Sequence, residues 1–226
     1  MMQFAQAWWS AAPTLPAPWV QQMGMHTLWG LVLAWCVVAV ALRLRPGMGM
    51  RARSTLVAVV IALSWWPGTV SPGFWLGLSF QSPSLALGLL AAYGLWVQLS
   101  PAAGRAGPWT ARGAQVTCLC ALGVVLGWAL MLDTLAFWPR SVYAMGFNAA
   151  ALTGLALLMV ALALVLTLQR AGLPVLALAA VLLLFAMTRL PTGNVWDALS
   201  DPLLWAALHC KLMRDVLTQR RERVLD

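Results

Sequence analysis

Residues 188–226 read TRLPTGNVWDALSDPLLWAALHCKLMRDVLTQRRERVLD. They hold five of the chain's six acidic residues, six of its fourteen basic residues and one of its two histidines. Most of what precedes them is apolar. Whether this stretch crosses a membrane decides the topology of everything before it.

That there is a membrane to cross follows from composition. The 226 residues are 62% hydrophobic and 9% charged, against about 25% charged in soluble domains. The net charge of +8 does not point to nucleic acid. Nearly all the arginines flank apolar runs, as the positive-inside bias requires. Many of the fourteen tryptophans fall near expected span ends, where amphipathic rings favour the interface.

Residues 1–25 carry no charged side chain. Pro13, Pro16 and Pro18 argue against a long helix there, and Trp8, Trp9 and Trp19 suggest a segment lying on the external surface. No basic residue precedes Arg43, so a signal peptide is not expected. Six spans are then expected at about His26–Leu42, Ser54–Val70, Ser82–Leu99, Gln115–Leu132, Ala149–Leu168 and Leu173–Thr188. Residues 71–81 are apolar but too short to cross, since a spanning helix needs about 20 residues. They read as an interfacial or re-entrant piece. Ser82-Pro83 reads as an N-cap followed by a first-turn proline. Gly123 and Gly127 have the spacing that lets helices approach closely.

Counting basic residues sets the number of crossings. With six spans, the fourteen divide seven and seven between the two sides. With the tail crossing once more, twelve lie inside and only Arg140 and Arg189 lie outside. The second division fits the positive-inside bias and puts the N-terminus outside and the C-terminus in the cytoplasm. The tail is a poor spanning helix, because it holds Asp197, Asp201, Pro202 and His209. Asp201-Pro202 reads as a cap and a first-turn proline, so the seventh element is expected to break there. The expected fold is thus an all-α integral membrane protein, a polytopic helical bundle with six transmembrane helices and a broken seventh element. Its parts are residues 1–25, the bundle 26–193, and the broken helix 194–226 ending in a basic cytoplasmic helix.

On this topology the outer leaflet gathers Asp133, Arg140, Arg189, Asn194, Asp197 and Asp201. Asp197 and Asp201 share a face if the helix is continuous. The group could hold a polar substrate or ion beside a broken helix, or it could be salt-bridged pairs that pin the spans together. Lys211, Arg214, Arg220, Arg221 and Arg223 form a basic stretch suited to anionic lipid heads or to a cytoplasmic partner.

Other chemistry is thinly supplied. Cys36, Cys118, Cys120 and Cys210 lie in apolar segments without metal or redox spacing, so neither a disulfide nor a metal is expected. His26 and His209 fall at different depths, which argues against haem. No GxSxG and no Gly-rich phosphate loop is present. No catalytic residue and no cofactor is expected, and catalysis is disfavoured without being excluded. No motif is specific enough to carry a family resemblance. The leading expectation is a non-catalytic subunit, assembly factor or scaffold of a larger membrane complex, with the bilayer and another membrane protein as partners. The alternative is a small transporter or permease component using the outer Asp/Arg cluster. The third is a membrane enzyme acting on lipid or polysaccharide. The Lys-poor, Ala/Leu/Arg/Trp-rich composition resembles that of proteins from GC-rich bacteria, which suggests a bacterial inner membrane.

Overall fold

The structure, a computed structural model, describes residues 15–100, 114–148, 153–157, 161, 164 and 173–225. Residues 1–14, the loop with Arg105 and Arg112, most of the expected fifth span, the turn with Arg170, and the side chains of Arg220, Arg221 and Arg223 lie outside this description.

The described chain is all-helical, with no strand among the described residues. The helices are α1 (Pro18–Leu44), α2 (Met50–Ser64), α3 (Pro72–Phe80), α4 (Leu85–Leu99), α5 (Ala114–Thr134), α6 (Val142–Met145), α7 (Leu173–Thr188), α8 (Val195–Leu199) and α9 (Pro202–Leu225), with a 3-10 turn at Gly68–Val70. Two of them, α1 and the Val116–Thr134 part of α5, are long and apolar enough to cross a membrane. Six full spans are therefore not what the described helices provide. Helices α2 and α4 have 15 residues each and α7 has 16. At 1.5 Å per residue that is about 22–24 Å, short of a roughly 30 Å hydrocarbon core. The expected second span stops at Ser64 because Trp65-Trp66-Pro67-Gly68 turns the chain, and only the 3-10 turn continues it.

Helix boundaries also moved for local reasons. Pro18 occupies the first turn of α1, where its missing N–H costs nothing. The helix thus begins within the segment expected to lie flat. The cap of α4 is Ser84, whose Oγ accepts from Leu87 N at 3.1 Å, and not Ser82. The tail is two helices, α8 and α9, meeting at Ser200-Asp201.

The first half is organised around α1, which packs on α2, α3 and α4. Small residues make the close approaches possible. Gly30 backs onto Ser64, Gly88 leaves room for Leu28, and Gly94 leaves room for Trp35. These pairings run α1 antiparallel to α2 and parallel to α4. At one end the Ser64 carbonyl accepts from His26 Nδ1 at 2.7 Å and Ser71 Oγ at 2.8 Å. Ser71 also caps α3, so one carbonyl binds three helices together. Beside it, Leu28, Leu85, Val181, Leu182, Phe185, Val195 and Ala198 form a buried cluster joining α1, α4, α7 and α8.

In the second half the main described contact of α5 is its seam with α9. Leu208 lies against Gly123 and the Trp205 ring fills the space over Gly127. Trp205 Nε1 donates to Val124 O at 3.1 Å. The two helices are antiparallel, and the Gly123/Gly127 spacing serves this contact. Around both halves large apolar side chains stay exposed, among them Val40, Leu63, Trp96, Leu122, Val125, Leu176, Leu183 and Met187.

Candidate functional site: the carboxylate-held end

Asp133, Arg140, Arg189, Asn194, Asp197 and Asp201 all lie where α5 ends, α7 ends and α8–α9 begin. Asp133 and Asp201 are held by hydroxyl and backbone donors, and Asp197 by two hydroxyls. The arginines take no part in an ion pair among the described residues.

Asp133 sits in the last turn of α5. The helix closes with Ala136 in the left-handed region (φ 55°) and with Phe137 N donating to Leu132 O at 3.2 Å. This brings the connector back over the helix end. Asp133 then accepts from Ser141 Oγ at 2.8 Å, Val142 N at 3.0 Å and Tyr143 N at 2.8 Å. A carboxylate at the positive end of α6 is favourable both as hydrogen-bond acceptor and as charge.

Asn194 caps α8, accepting from Trp196 N at 2.9 Å. Its Nδ2 donates to Tyr143 O at 2.9 Å, while Trp196 Nε1 donates to Val142 O at 2.9 Å. Val195 N donates to Gly146 O at 3.0 Å. A side chain at Gly146 would overlap Asn194 and Trp196, so this close approach requires glycine.

Asp197 accepts from the Tyr143 hydroxyl at 2.7 Å and from Thr192 Oγ1. Burial, and then the hydrogen bond to the Asp197 carboxylate, push the Tyr143 hydroxyl up to about 12. The phenol therefore stays a donor throughout the neutral range.

Asp201 caps two helices at once. Its Oδ1 accepts from Leu203 N and Leu204 N at 2.9 Å each, in the first turn of α9. Its Oδ2 accepts from Ser84 N at 2.9 Å and Ser84 Oγ at 2.5 Å, at the start of α4. The break at Ser200 turns Asp201 away from Asp197, so the two carboxylates serve different neighbours. Arg189 lies over the Phe185 ring, its guanidinium carbon 5.4 Å from the centroid. Arg140 is exposed.

The basic stretch divides as well. Lys211 is not a surface residue. It is 3% exposed and pairs with Asp215 at 2.6 Å on the next turn. Arg214 is exposed. Nearby, Trp128 Nε1 donates to His209 Nε2 at 3.1 Å. Because an indole N–H can only donate, Nδ1 carries the imidazole proton and donates to Trp205 O at 2.8 Å.

Sequence reasoning missed Ser84, Tyr143, Gly146, Thr192 and Trp196. Asn194 and Asp197 have capping-box spacing, but Asp197 bonds Tyr143 and Thr192 while the Asn194 N–H bonds Thr192 Oγ1, so that spacing signalled none of these residues. Among the described residues no three of His, Cys, Asp and Glu gather to hold a metal. The arrangement chemically favours holding helix ends together: its acceptors already meet donors. In comparisons with known proteins, no family model, no curated protein and no solved structure matches the chain.

Proposed function

We propose that this chain is a non-catalytic polytopic protein of the bacterial inner membrane, a subunit, assembly factor or scaffold that packs against a larger membrane partner. One observation carries the reading. The described carboxylates are all used internally, on helix caps, on hydroxyl groups and in one buried ion pair, while large apolar side chains remain exposed on α4, α5 and α7. Such a surface suits lipid and neighbouring helices, because contiguous exposed apolar area is rare on soluble monomers.

We also propose seven crossings, with the N-terminus outside and the C-terminus in the cytoplasm. The helix directions support this. The start of α1 and the ends of α2 and α7 meet, with Gly24 against Leu190 and Gly30 against Ser64. Asp201 lies at the start of α4 and Arg53 at its other end, donating to Gln98 O at 2.9 Å.

Extraction of the tagged full chain in mild detergent tests the main reading. A stoichiometric membrane partner should co-purify, and Asp197→Asn should leave that complex intact. A chain that elutes alone while Asp197→Asn abolishes uptake of a solute would make it a transporter instead. Alkaline phosphatase fused after Arg140 should be active, and a fluorescent protein fused after Asp226 should fluoresce. The reverse pattern inverts the topology.

A further inference from the structure

The turn between α1 and α2 carries Arg43, Arg45, Arg51 and Arg53. Arg53 is structural. Its Nε donates to Met48 O at 2.8 Å and its Nη1 to Gln98 O at 2.9 Å, which ties the turn to the end of α4. Met48 N donates to Arg45 O at 3.1 Å, so the backbone of the turn is closed upon itself. Arg43, Arg45 and Arg51 project from this fixed frame. All three are exposed, and none is in an ion pair with another described residue.

Among the described side chains, no carboxylate pairs with them. Asp133, Asp197, Asp201 and Asp215 are held by partners elsewhere. Asp201 sits at the far end of α4, about 21 Å away along fourteen helical steps of 1.5 Å. Arg51 lies in the first turn of α2, which has no acidic residue and no side-chain cap from Gly49. A cation there faces the positive end of the helix dipole, an arrangement that an external anion relieves. Leu44, between Arg43 and Arg45, is 82% exposed. An apolar tip flanked by guanidinium groups matches the boundary between acyl chains and phosphate heads.

We propose that this turn binds the headgroups of anionic phospholipids in the leaflet it faces, an inference that rests on the membrane reading above. Guanidinium groups pair with phosphate oxygens in bidentate fashion. Leu44 enters the acyl region beside them. Selection is by charge complementarity, and salt weakens it.

The full chain, placed in nanodiscs of phosphatidylcholine mixed with phosphatidylglycerol, gives the test. Lipid retained after gentle extraction is identified by native mass spectrometry. The wild type should retain phosphatidylglycerol above its share of the mixture, and less so at high salt. Arg51→Gln should lower the enrichment about fivefold, which corresponds to roughly 1 kcal/mol per basic residue. The Arg43→Gln, Arg45→Gln, Arg51→Gln triple variant should abolish it, while lysines at the same three positions, which keep the charge and lose the bidentate fork, should preserve only part of it. Neutralising Arg220, Arg221 and Arg223 should change it little. Enrichment that survives the triple variant, or that is lost only with the tail variant, overturns the proposal. So does displacement by inorganic phosphate, which would assign the turn to free anions. A chain that stays in the aqueous fraction without detergent overturns the membrane reading instead.

Discussion

Helices α1 and α5 have the same mean hydropathy, 2.0, in their most apolar windows and opposite situations. Both are long and apolar enough to cross a bilayer, yet 33% of the most apolar window of α1 is buried within the protein against 6% for α5. Helix α1 is held along its length by Gly88, Ser64, Gly94 and the cluster of Ala34, Val38 and Leu95. Helix α5 leans chiefly on α9 and is tied at its end through Asp133. Hydropathy measures the preference for lipid and says nothing of which face is packed. A helix with several seams loses little when one is damaged, whereas a helix with one main seam depends more on each contact in it.

The largest expected effect comes from the charges at that seam. Asp215→Ala leaves the buried Lys211 ammonium unpaired, which should cost about 3–5 kcal/mol, read as thermal unfolding of the detergent-solubilised chain. Lys211→Met combined with Asp215→Leu should recover most of the loss. A single variant as stable as the wild type would mean that α5 does not bury Lys211, and the contrast with α1 would collapse.

Next is Asp201→Ala, which removes the acceptor of four donors at the starts of α4 and α9. We expect a loss of about 3 kcal/mol in the same assay, from lost caps and unsatisfied donors together. Asp201→Asn should fall between, since its amide still offers one oxygen. An Ala variant within experimental error of the wild type would detach the tail from the first half.

A pair of glycines sharpens the comparison further. A Cβ at Gly127 would overlap the Trp205 ring, and a Cβ at Gly88 would overlap a methyl of Leu28. Trp205 is pinned by its bond to Val124 O and by a T-shaped contact with His209, ring centroids 4.7 Å apart. The leucine tip can rotate away. Gly127→Ala should therefore cost about 2 kcal/mol. Gly88→Ala should be within about 0.5 kcal/mol of neutral, because helix propensity offsets the strain. Equal losses would show that the α1 seam is as unforgiving as that of α5.

A smaller effect than that of Gly127→Ala is expected at Tyr143. Replacing it with Phe removes one hydrogen bond to Asp197 and should cost about 1 kcal/mol. The hydroxyl ordinarily ionises near 10.0 and in the fold near 12. A raised folded value favours the neutral phenol. Its contribution is therefore complete below pH 10 and lost as the pH rises towards 12. Phenolate absorbance should show this late ionisation, and the Phe variant should lack the matching fall in stability. A Phe variant with an unchanged alkaline stability profile would exclude this hydroxyl from the hold on α8.

What the sequence made legible was local. Asp201-Pro202 carries its own signal, because an oxygen-bearing cap before a first-turn proline satisfies α9 without distant help. The same rule was ambiguous at Ser82-Pro83-Ser84, where Asp201 decides between the two serines by bonding Ser84 N and Oγ. Pro18 looked like a helix breaker and is a helix starter, since the effect of proline depends on which turn it occupies. At the site, the residue types were legible and their partners were not. Tyr143 reaches Asp197 across 54 positions and Ser84 reaches Asp201 across 117. No local pattern encodes such pairings. The arginines and carboxylates of the outer group invited an ion-pair reading. The folded chain supplies backbone N–H groups and hydroxyls to the carboxylates instead, because helix starts converge there.

The shared cap at Asp201 has a consequence in time. Ser84 is synthesised long before the carboxylate that completes it. At roughly 5–20 residues per second, 117 residues take about 6–23 s to emerge. For that interval the start of α4 lacks its final acceptor. A helix made later thus completes the start of an earlier one, and a ribosome that stops short of Asp201 releases a chain in which the start of α4 still lacks that acceptor.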